Sequence, residues 1–77
     1  MDRENVFGSR LSALRKASGL SMKQLGEQVG LSTQAINDIE HGRRETTVSK
    51  AILLARVFDT TVHYLFGDTD DPTRHFS

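Results

Sequence analysis

Five polar side chains within nine residues of this sequence have the types and spacing to read a hydrogen-bonding surface. They are Thr33, Gln34, Asn37, Asp38 and His41. At 100° per residue they share one side of a helix, opposite the apolar Ala35, Ile36 and Ile39. An Asn or Gln amide can form two hydrogen bonds to an adenine edge, and a Thr methyl can contact thymine. A short helix with these two faces suits the major groove of DNA.

The residues before this helix predict a second helix and a tight turn that position it. Ser21 with Gln24 three residues later forms a capping box, which marks the start of helix 2. Gly30 permits the turn, and Ser32 caps helix 3, which extends to about residue 41. Gly26 is a poor helix former within helix 2, so we expect another helix backbone to approach it closely.

The other periodic segments also have helical spacing, which predicts an all-α domain of five helices. Helix 1 extends from about residue 5 to 18, helix 4 from Thr47 to about residue 58, and helix 5 from Val62 to Phe66. The expected core face of helix 4 comprises Val48, Ala51, Ile52, Ala55 and Phe58, with Leu53, Leu54 and Val57 extending the apolar surface around its back. We expect the domain to occupy residues 1–67 and an acidic, disordered tail to occupy residues 68–77.

Composition excludes several classes of protein and site. The chain has 77 residues, which is enough for one small domain, and no cysteine. No spacing of His, Asp or Glu predicts a metal site, and no cofactor or catalytic motif is present, so we expect no enzyme activity. No apolar run spans a membrane and no signal-peptide pattern occurs, so we expect a cytoplasmic protein. Net charge is zero, but residues 1–67 carry nine Lys or Arg against seven Asp or Glu, which is a net of +2.

Two stretches carry a family resemblance, namely RLSALRKASGLSMKQLGEQVGLSTQAINDIEHGRR at residues 10–44 and TTVSKAILLARVFDTTVHYLF at residues 46–66. They resemble the helix-turn-helix domains of phage Cro and lambda-type repressors, often called the XRE family. The resemblance implies a compact five-helix, lambda-repressor-like DNA-binding domain that usually acts as a dimer at an operator. It makes helix 3, at about residues 33–41, the recognition helix.

The resemblance also implies roles for individual residues. Positions facing base edges are Thr33, Gln34, Asn37 and Asp38. Positions near the DNA backbone are Met22, Lys23, Ser32, His41, Arg43 and Arg44. Arg15 and Glu40 match a salt bridge that steadies the recognition helix. Two residues depart from the pattern, since Met22 replaces a phosphate-binding glutamine and Asp38 places a carboxylate toward phosphates. Asp38 then either accepts from a cytosine amino group or turns to a neighbouring cation.

The assembly and the function of the domain each allow two interpretations of the sequence. Four apolar residues of helices 4 and 5 either form a homodimer interface or pack within the monomer; they are Leu53, Val57, Tyr64 and Phe66. The main functional hypothesis is a sequence-specific DNA-binding transcriptional regulator, specifically a dimeric repressor with double-stranded DNA as its partner and no membrane association. The alternative is a protein-interaction module, such as an antitoxin whose DNA binding is autoregulatory. In that case the acidic tail is a candidate site for another protein.

Overall fold

Five α-helices follow one another in residues 5–74, which are the residues that the computed structural model describes. They are α1 (Val6–Ala17), α2 (Met22–Val29), α3 (Thr33–Glu40), α4 (Val48–Val57) and α5 (Val62–Phe66). No strand occurs in this part of the chain, so the predicted all-α class is confirmed. None of the helices within residues 5–74 has the length and hydropathy needed to cross a bilayer.

Side-chain caps fix where the helices begin. Before α2, α3, α4 and α5, a hydroxyl accepts a hydrogen bond from the backbone N–H three residues later; these hydroxyls belong to Ser21, Ser32, Thr47 and Thr61. The capping box is also present, because the Gln24 side chain accepts from the backbone N–H of Ser21 at 2.9 Å. Gly30 ends α2 in the left-handed conformation, with φ of 73°. The residues thus place the α2–α3 turn as predicted.

Each helix contributes one large, completely buried side chain to the core of the domain. These side chains are Leu11, Leu25, Ile36, Leu54 and Leu65. Burying a side chain of this size stabilises a fold by about 1.5–3 kcal/mol relative to its exposure. α3 packs against both α1 and α2, so the candidate recognition helix is supported from two directions.

The buried side of α4 differs from the sequence-based prediction. Val48 is 75% exposed and Ile52 is 38% exposed, although both were expected in the core. Leu54, expected at the back, is completely buried. α4 is apolar around most of its circumference, so its pattern cannot select one face. The small side chains of Ala51 and Ala55 are buried beside Leu54, and this set is the face that contacts the other helices.

Gly26 allows the α2–α3 turn to close. A Cβ atom at this position would overlap the backbone carbonyl of Leu31, in the turn itself. The expectation of a close approach is therefore correct, but the neighbour is the turn and not another helix. Any larger residue would push the turn away from α2, and α3 with it.

Polar contacts connect residues 68–74, which were expected to belong to a disordered tail, to the rest of the domain. Arg10 donates to the backbone carbonyl of Thr69 at 2.6 Å and to the carboxylate of Asp70 at 2.8 Å. Thr60 donates its hydroxyl hydrogen to the carbonyl of Pro72 at 2.7 Å. Arg10 of α1 and Thr60 of the α4–α5 connection thus contact a segment that has no apolar core of its own. Residues 75–77 of the expected tail lie outside the described residues.

Candidate nucleic-acid interface

The two faces of α3 have opposite environments. Ala35, Ile36 and Ile39 are buried, and they anchor the helix to the core. On the other side Thr33 and Gln34 are exposed, while Asn37 and Asp38 are half-buried. All four groups that the resemblance assigns to base readout thus reach the surface of the described domain on one short helix.

A buried salt bridge holds the C-terminal end of α3 to α1. The guanidinium of Arg15 donates from Nε to Glu40 Oε2 at 2.6 Å and from Nη2 to Glu40 Oε1 at 3.1 Å. Its Nη1 donates to the carbonyl of Leu20 at 2.9 Å. The hydrogen bond with Glu40 raises the pKa of Arg15 above its ordinary value, against the opposing effect of burial. The pair implied by the resemblance is present, and its fork-like geometry fixes the helix end in orientation as well as position.

A second connection between α1 and α3 was missed from the sequence. Asn5 caps α1 by accepting from the backbone N–H of Gly8 at 3.1 Å, and it donates from Nδ2 to the carbonyl of Glu40 at 2.7 Å. A Cβ atom on Gly8 would overlap the carbonyls of Ile39 and Glu40, so the two helix backbones touch here. Asn is a strong N-cap residue, which is the signal that would have identified Asn5. Nothing in the sequence pairs it with Glu40.

The exposed side of α3 carries a hydrogen-bonded network of its own side chains and the loop that follows. Asp38 Oδ1 accepts from Gln34 Nε2 at 3.0 Å and from Arg43 Nε at 3.2 Å. Arg43 also donates from Nη2 to Asn37 Oδ1 at 2.5 Å. In the free protein, Asp38 therefore pairs with a neighbouring cation, which is one of the two alternatives considered from the sequence. Arg43, assigned to the DNA backbone, instead lies against the assigned base-reading groups in the free protein.

The other residues assigned to the DNA backbone have varied surroundings. Met22 is half-buried, and its sulfur accepts a weak hydrogen bond from Asn37 Nδ2 at 3.6 Å. Lys23 is exposed in the first turn of α2, and Arg44 is exposed in the loop after α3. The remaining two are polar groups at the ends of α3. Ser32 caps its N-terminus, and His41 Nδ1 lies 2.8 Å from the carbonyl of Asn37 at its C-terminus.

Lys50, a cation on α4, contacts the end of the helix that precedes α3. Lys50 donates from Nζ to the carbonyl of Val29 at 2.7 Å, so it satisfies the C-terminal end of α2 from α4. A cation at this end also interacts favourably with the helix dipole. No cluster of His, Asp or Glu able to hold a metal ion occurs in residues 5–74.

The four residues expected at a dimer interface have mixed exposure. Leu53 and Phe66 are exposed, at 37% and 51%, while Val57 and Tyr64 are half-buried. The Phe66 ring lies 4.7 Å from that of Phe7, and the Arg10 guanidinium lies 4.2 Å from the centre of the Tyr64 ring. These contacts cover part of the Phe66 and Tyr64 rings within the monomer.

The chain is similar to known helix-turn-helix regulators in sequence. A family model described as Helix-turn-helix matches residues 11–65. The uncharacterized HTH-type transcriptional regulator YobD of Bacillus subtilis is 37% identical over 67 residues, which are 87% of this chain and 60% of that protein. The uncharacterized HTH-type transcriptional regulator y4dJ of Sinorhizobium fredii is 31% identical over 71 residues, 92% of each chain.

A solved structure shares the arrangement of helices. It is the P22 c2 repressor in complex with synthetic operator 9T, which superposes with a TM-score of 0.75 at 28% identity. The match covers 78% of this chain and 91% of that one. The five-helix arrangement is therefore the one seen in lambda-type repressor domains, as the resemblance implied.

Proposed function

Because the chain belongs to the helix-turn-helix family of transcriptional regulators, we propose that it binds double-stranded DNA sequence-specifically and reads the major groove with α3. The observation that supports this function best is the division of α3 into two faces. Three apolar side chains fix the helix to the core, and the opposite row of amide, hydroxyl and carboxylate groups reaches the surface. Groups of this kind distinguish base pairs in the major groove.

The proposed direct contacts are of two kinds, to base edges and to phosphates. Gln34 and Asn37 are the candidates for paired hydrogen bonds to adenine N6 and N7, and Thr33 is the candidate for a thymine methyl. Backbone N–H groups at the start of α2 supply phosphate contacts where Met22 cannot donate, with the nearby charge of Lys23 favouring the same anion. Ser32, His41, Arg43 and Arg44 complete the proposed backbone contacts. The proposed activity is binding alone, without a catalysed reaction.

The relatives support DNA binding at the level of the domain. The P22 c2 repressor structure contains a synthetic operator, and this chain covers 91% of that chain at TM-score 0.75. The chain spans 60% of the length of YobD, so the activity of the whole protein is part of the proposal. We propose repression as the sign of regulation and the cytoplasm as the location of the protein.

We further propose a homodimer on a roughly palindromic operator. The exposed surfaces of Leu53 and Phe66, with the accessible parts of Val57 and Tyr64, supply the apolar area that a second copy would cover. A two-fold pair would present two copies of α3 to successive major grooves, about 34–36 Å apart. Ile52, exposed beside Leu53 on α4, adds to the same candidate surface.

Selection from a random duplex library, followed by a binding titration over a range of salt, tests the function. We expect the wild type to prefer the selected duplex strongly over a scrambled one. Gln34→Ala should lose about 5- to 150-fold on the selected duplex, as expected for one paired base contact. Gln28→Ala removes the same side chain from the exposed side of α2 and is the matched control, with little expected change.

Phosphate contacts give a different signature in the same experiment. Arg44→Ala should weaken binding to every duplex alike and reduce the salt slope by about one unit. Equal and weak affinity of the wild type for every duplex at physiological salt would contradict sequence-specific binding.

A further inference from the structure

Asp38 and Arg43 form a contact on the very surface that the proposed function presents to DNA. The carboxylate is on α3 and the guanidinium is in the following loop, with Nε and Oδ1 3.2 Å apart. Arg43 also donates to Asn37, so a single side chain engages two of the four groups assigned to base readout. The Asp38 side chain is 20% exposed and that of Arg43 is 56% exposed, so the guanidinium lies on the solvent side of the pair.

Carboxylate and phosphate are alternative partners for the same guanidinium. Both accept hydrogen bonds from the planar donor edge of arginine, and both carry the negative charge that strengthens those bonds. In the free protein the Nε donor of Arg43 is taken by Asp38, and Nη2 is taken by Asn37. Arg43 therefore has to give up these partners before it can use the same donors on the DNA backbone.

The cost of that exchange depends on the DNA sequence. When Arg43 leaves, Asp38 keeps the hydrogen bond from Gln34 but loses its positive partner. The carboxylate then faces the phosphates of DNA, which repel it. A cytosine N4 amino group is the base-edge donor that pairs with an acidic side chain. A duplex that places cytosine opposite Asp38 offsets the loss, and a duplex without it does not.

We infer that Asp38 is an intramolecular competitor of DNA phosphate for Arg43, and that it sets specificity by weakening binding to duplexes that offer it no donor. This role rests on the proposed DNA binding and adds to it a residue on the exposed side of α3 that determines specificity. It assigns Asp38 a negative contribution to affinity, whereas a residue that only reads a base would contribute positively to the selected site alone.

Asp38→Asn tests the role, because asparagine keeps the shape of the side chain and its oxygen can still accept from Gln34. Glu45→Gln is the matched control, since it removes the same charge from an exposed residue of the same loop. Each change is made in the wild type and in an Arg43→Gln background, and affinities for selected and scrambled duplexes are measured by fluorescence anisotropy. Thermal melting by circular dichroism establishes that every variant is folded.

Asp38→Asn should tighten binding to the scrambled duplex about 1.4- to 5-fold more than Glu45→Gln does, which is the range for a solvent-accessible ion pair. This excess should disappear in the Arg43→Gln background, and the preference for the selected duplex should fall. In the free protein, the Arg43 Nε–H proton should exchange with solvent faster in Asp38→Asn than in the wild type.

An equal effect of Asp38→Asn and Glu45→Gln, or an excess that persists with glutamine at position 43, would overturn the competition and leave DNA binding intact. Failure of the folded wild type to bind any duplex would overturn the proposed function and the role of Asp38 together. The two failures are therefore distinguishable.

Discussion

The side chain of Asn5 connects the beginning of α1 to the end of α3. Its oxygen accepts from the backbone N–H of Gly8, while its nitrogen donates to the backbone carbonyl of Glu40 at 2.7 Å. Glu40 is also the partner of Arg15 through its carboxylate. Asn5 thus holds the backbone of Glu40 and Arg15 holds its side chain. Glu40 is the last residue of the candidate recognition helix.

Asn5→Asp should separate the two tasks of this residue. Aspartate can still cap α1, but it has no N–H to donate to Glu40. We expect a loss of about 1–3 kcal/mol in the free energy of unfolding, because a partly buried acceptor loses its partner. Urea denaturation measures this loss, and Asn5→Ala should add the cost of the lost cap. Equal stability of Asn5→Asp and the wild type would show that the link to Glu40 is unimportant.

Arg15→Ala should destabilise the domain by about 3–5 kcal/mol, because it leaves the Glu40 carboxylate buried without its partner. Lys16→Ala, at the exposed neighbouring position, should change stability by less than about 0.5 kcal/mol. The double variant Arg15→Met, Glu40→Met should recover most of the loss, since it removes both charges. No recovery in the double variant would argue against an uncompensated charge as the cause.

The contribution of Arg15 should not vary around neutral pH. Its pKa is raised in the folded state, so the stabilisation is fully present below the pKa of arginine in the unfolded chain. It is lost only as the pH rises through the folded-state value, in strongly alkaline solution. The difference in unfolding free energy between the wild type and Arg15→Met should therefore be constant from neutral to mildly alkaline pH.

Gly26→Ala should impair DNA binding as well as stability. The added methyl group overlaps the Leu31 carbonyl, so the α2–α3 turn has to move, at a cost of about 1–3 kcal/mol. Gly19→Ala is the control, because its φ of 72° strains alanine while the space around its Cβ is open. Both variants should unfold more easily, but only Gly26→Ala should bind the selected duplex more weakly when fully folded. Equal binding by both variants would show that the position of the α2–α3 turn does not affect DNA binding.

Arg10→Ala should release residues 68–74 from the domain. It removes the donors to Tyr64, Thr69 and Asp70, and the guanidinium that covers the Tyr64 ring. Amide hydrogen exchange in residues 68–74 should accelerate, while exchange in α3 should be unchanged. Arg56→Ala, at an exposed position of α4, is the matched control. Unchanged exchange in residues 68–74 would mean that other contacts suffice to hold the segment.

Leu53→Glu should weaken the proposed homodimer, because it would place a charge at a surface that a second copy covers. Sedimentation equilibrium of the folded variant should give a larger dissociation constant than that of the wild type. Ala17→Glu introduces the same charge at an exposed position of α1, outside the proposed surface, and it should have a smaller effect. A monomeric wild type at all concentrations would contradict the dimer.

Local residue chemistry accounts for most of what could be predicted from the sequence. Caps such as Ser21 and Ser32, and the turn glycine Gly30, act on their own few residues, so their positions could be assigned without a structure. The buried isoleucines of α3 were also predictable, because the polar residues around them leave only one apolar side. The pattern of α4 lacked such contrast, so its buried face was predicted only in part: Ala51 and Ala55 are buried as expected, but Val48 and Ile52 are exposed.

The sequence by itself determined that the chain forms five helices, that Ser32 begins the third, and that this helix carries amide groups opposite an isoleucine anchor. These properties depend on contacts between residues no more than a few positions apart. Only the tertiary structure decided that Asn5 holds Glu40, that Leu54 and not Ile52 enters the core, and that Arg10 contacts Thr69 and Asp70. Those outcomes depend on distances between segments far apart in the chain, which are fixed only when the helices pack together.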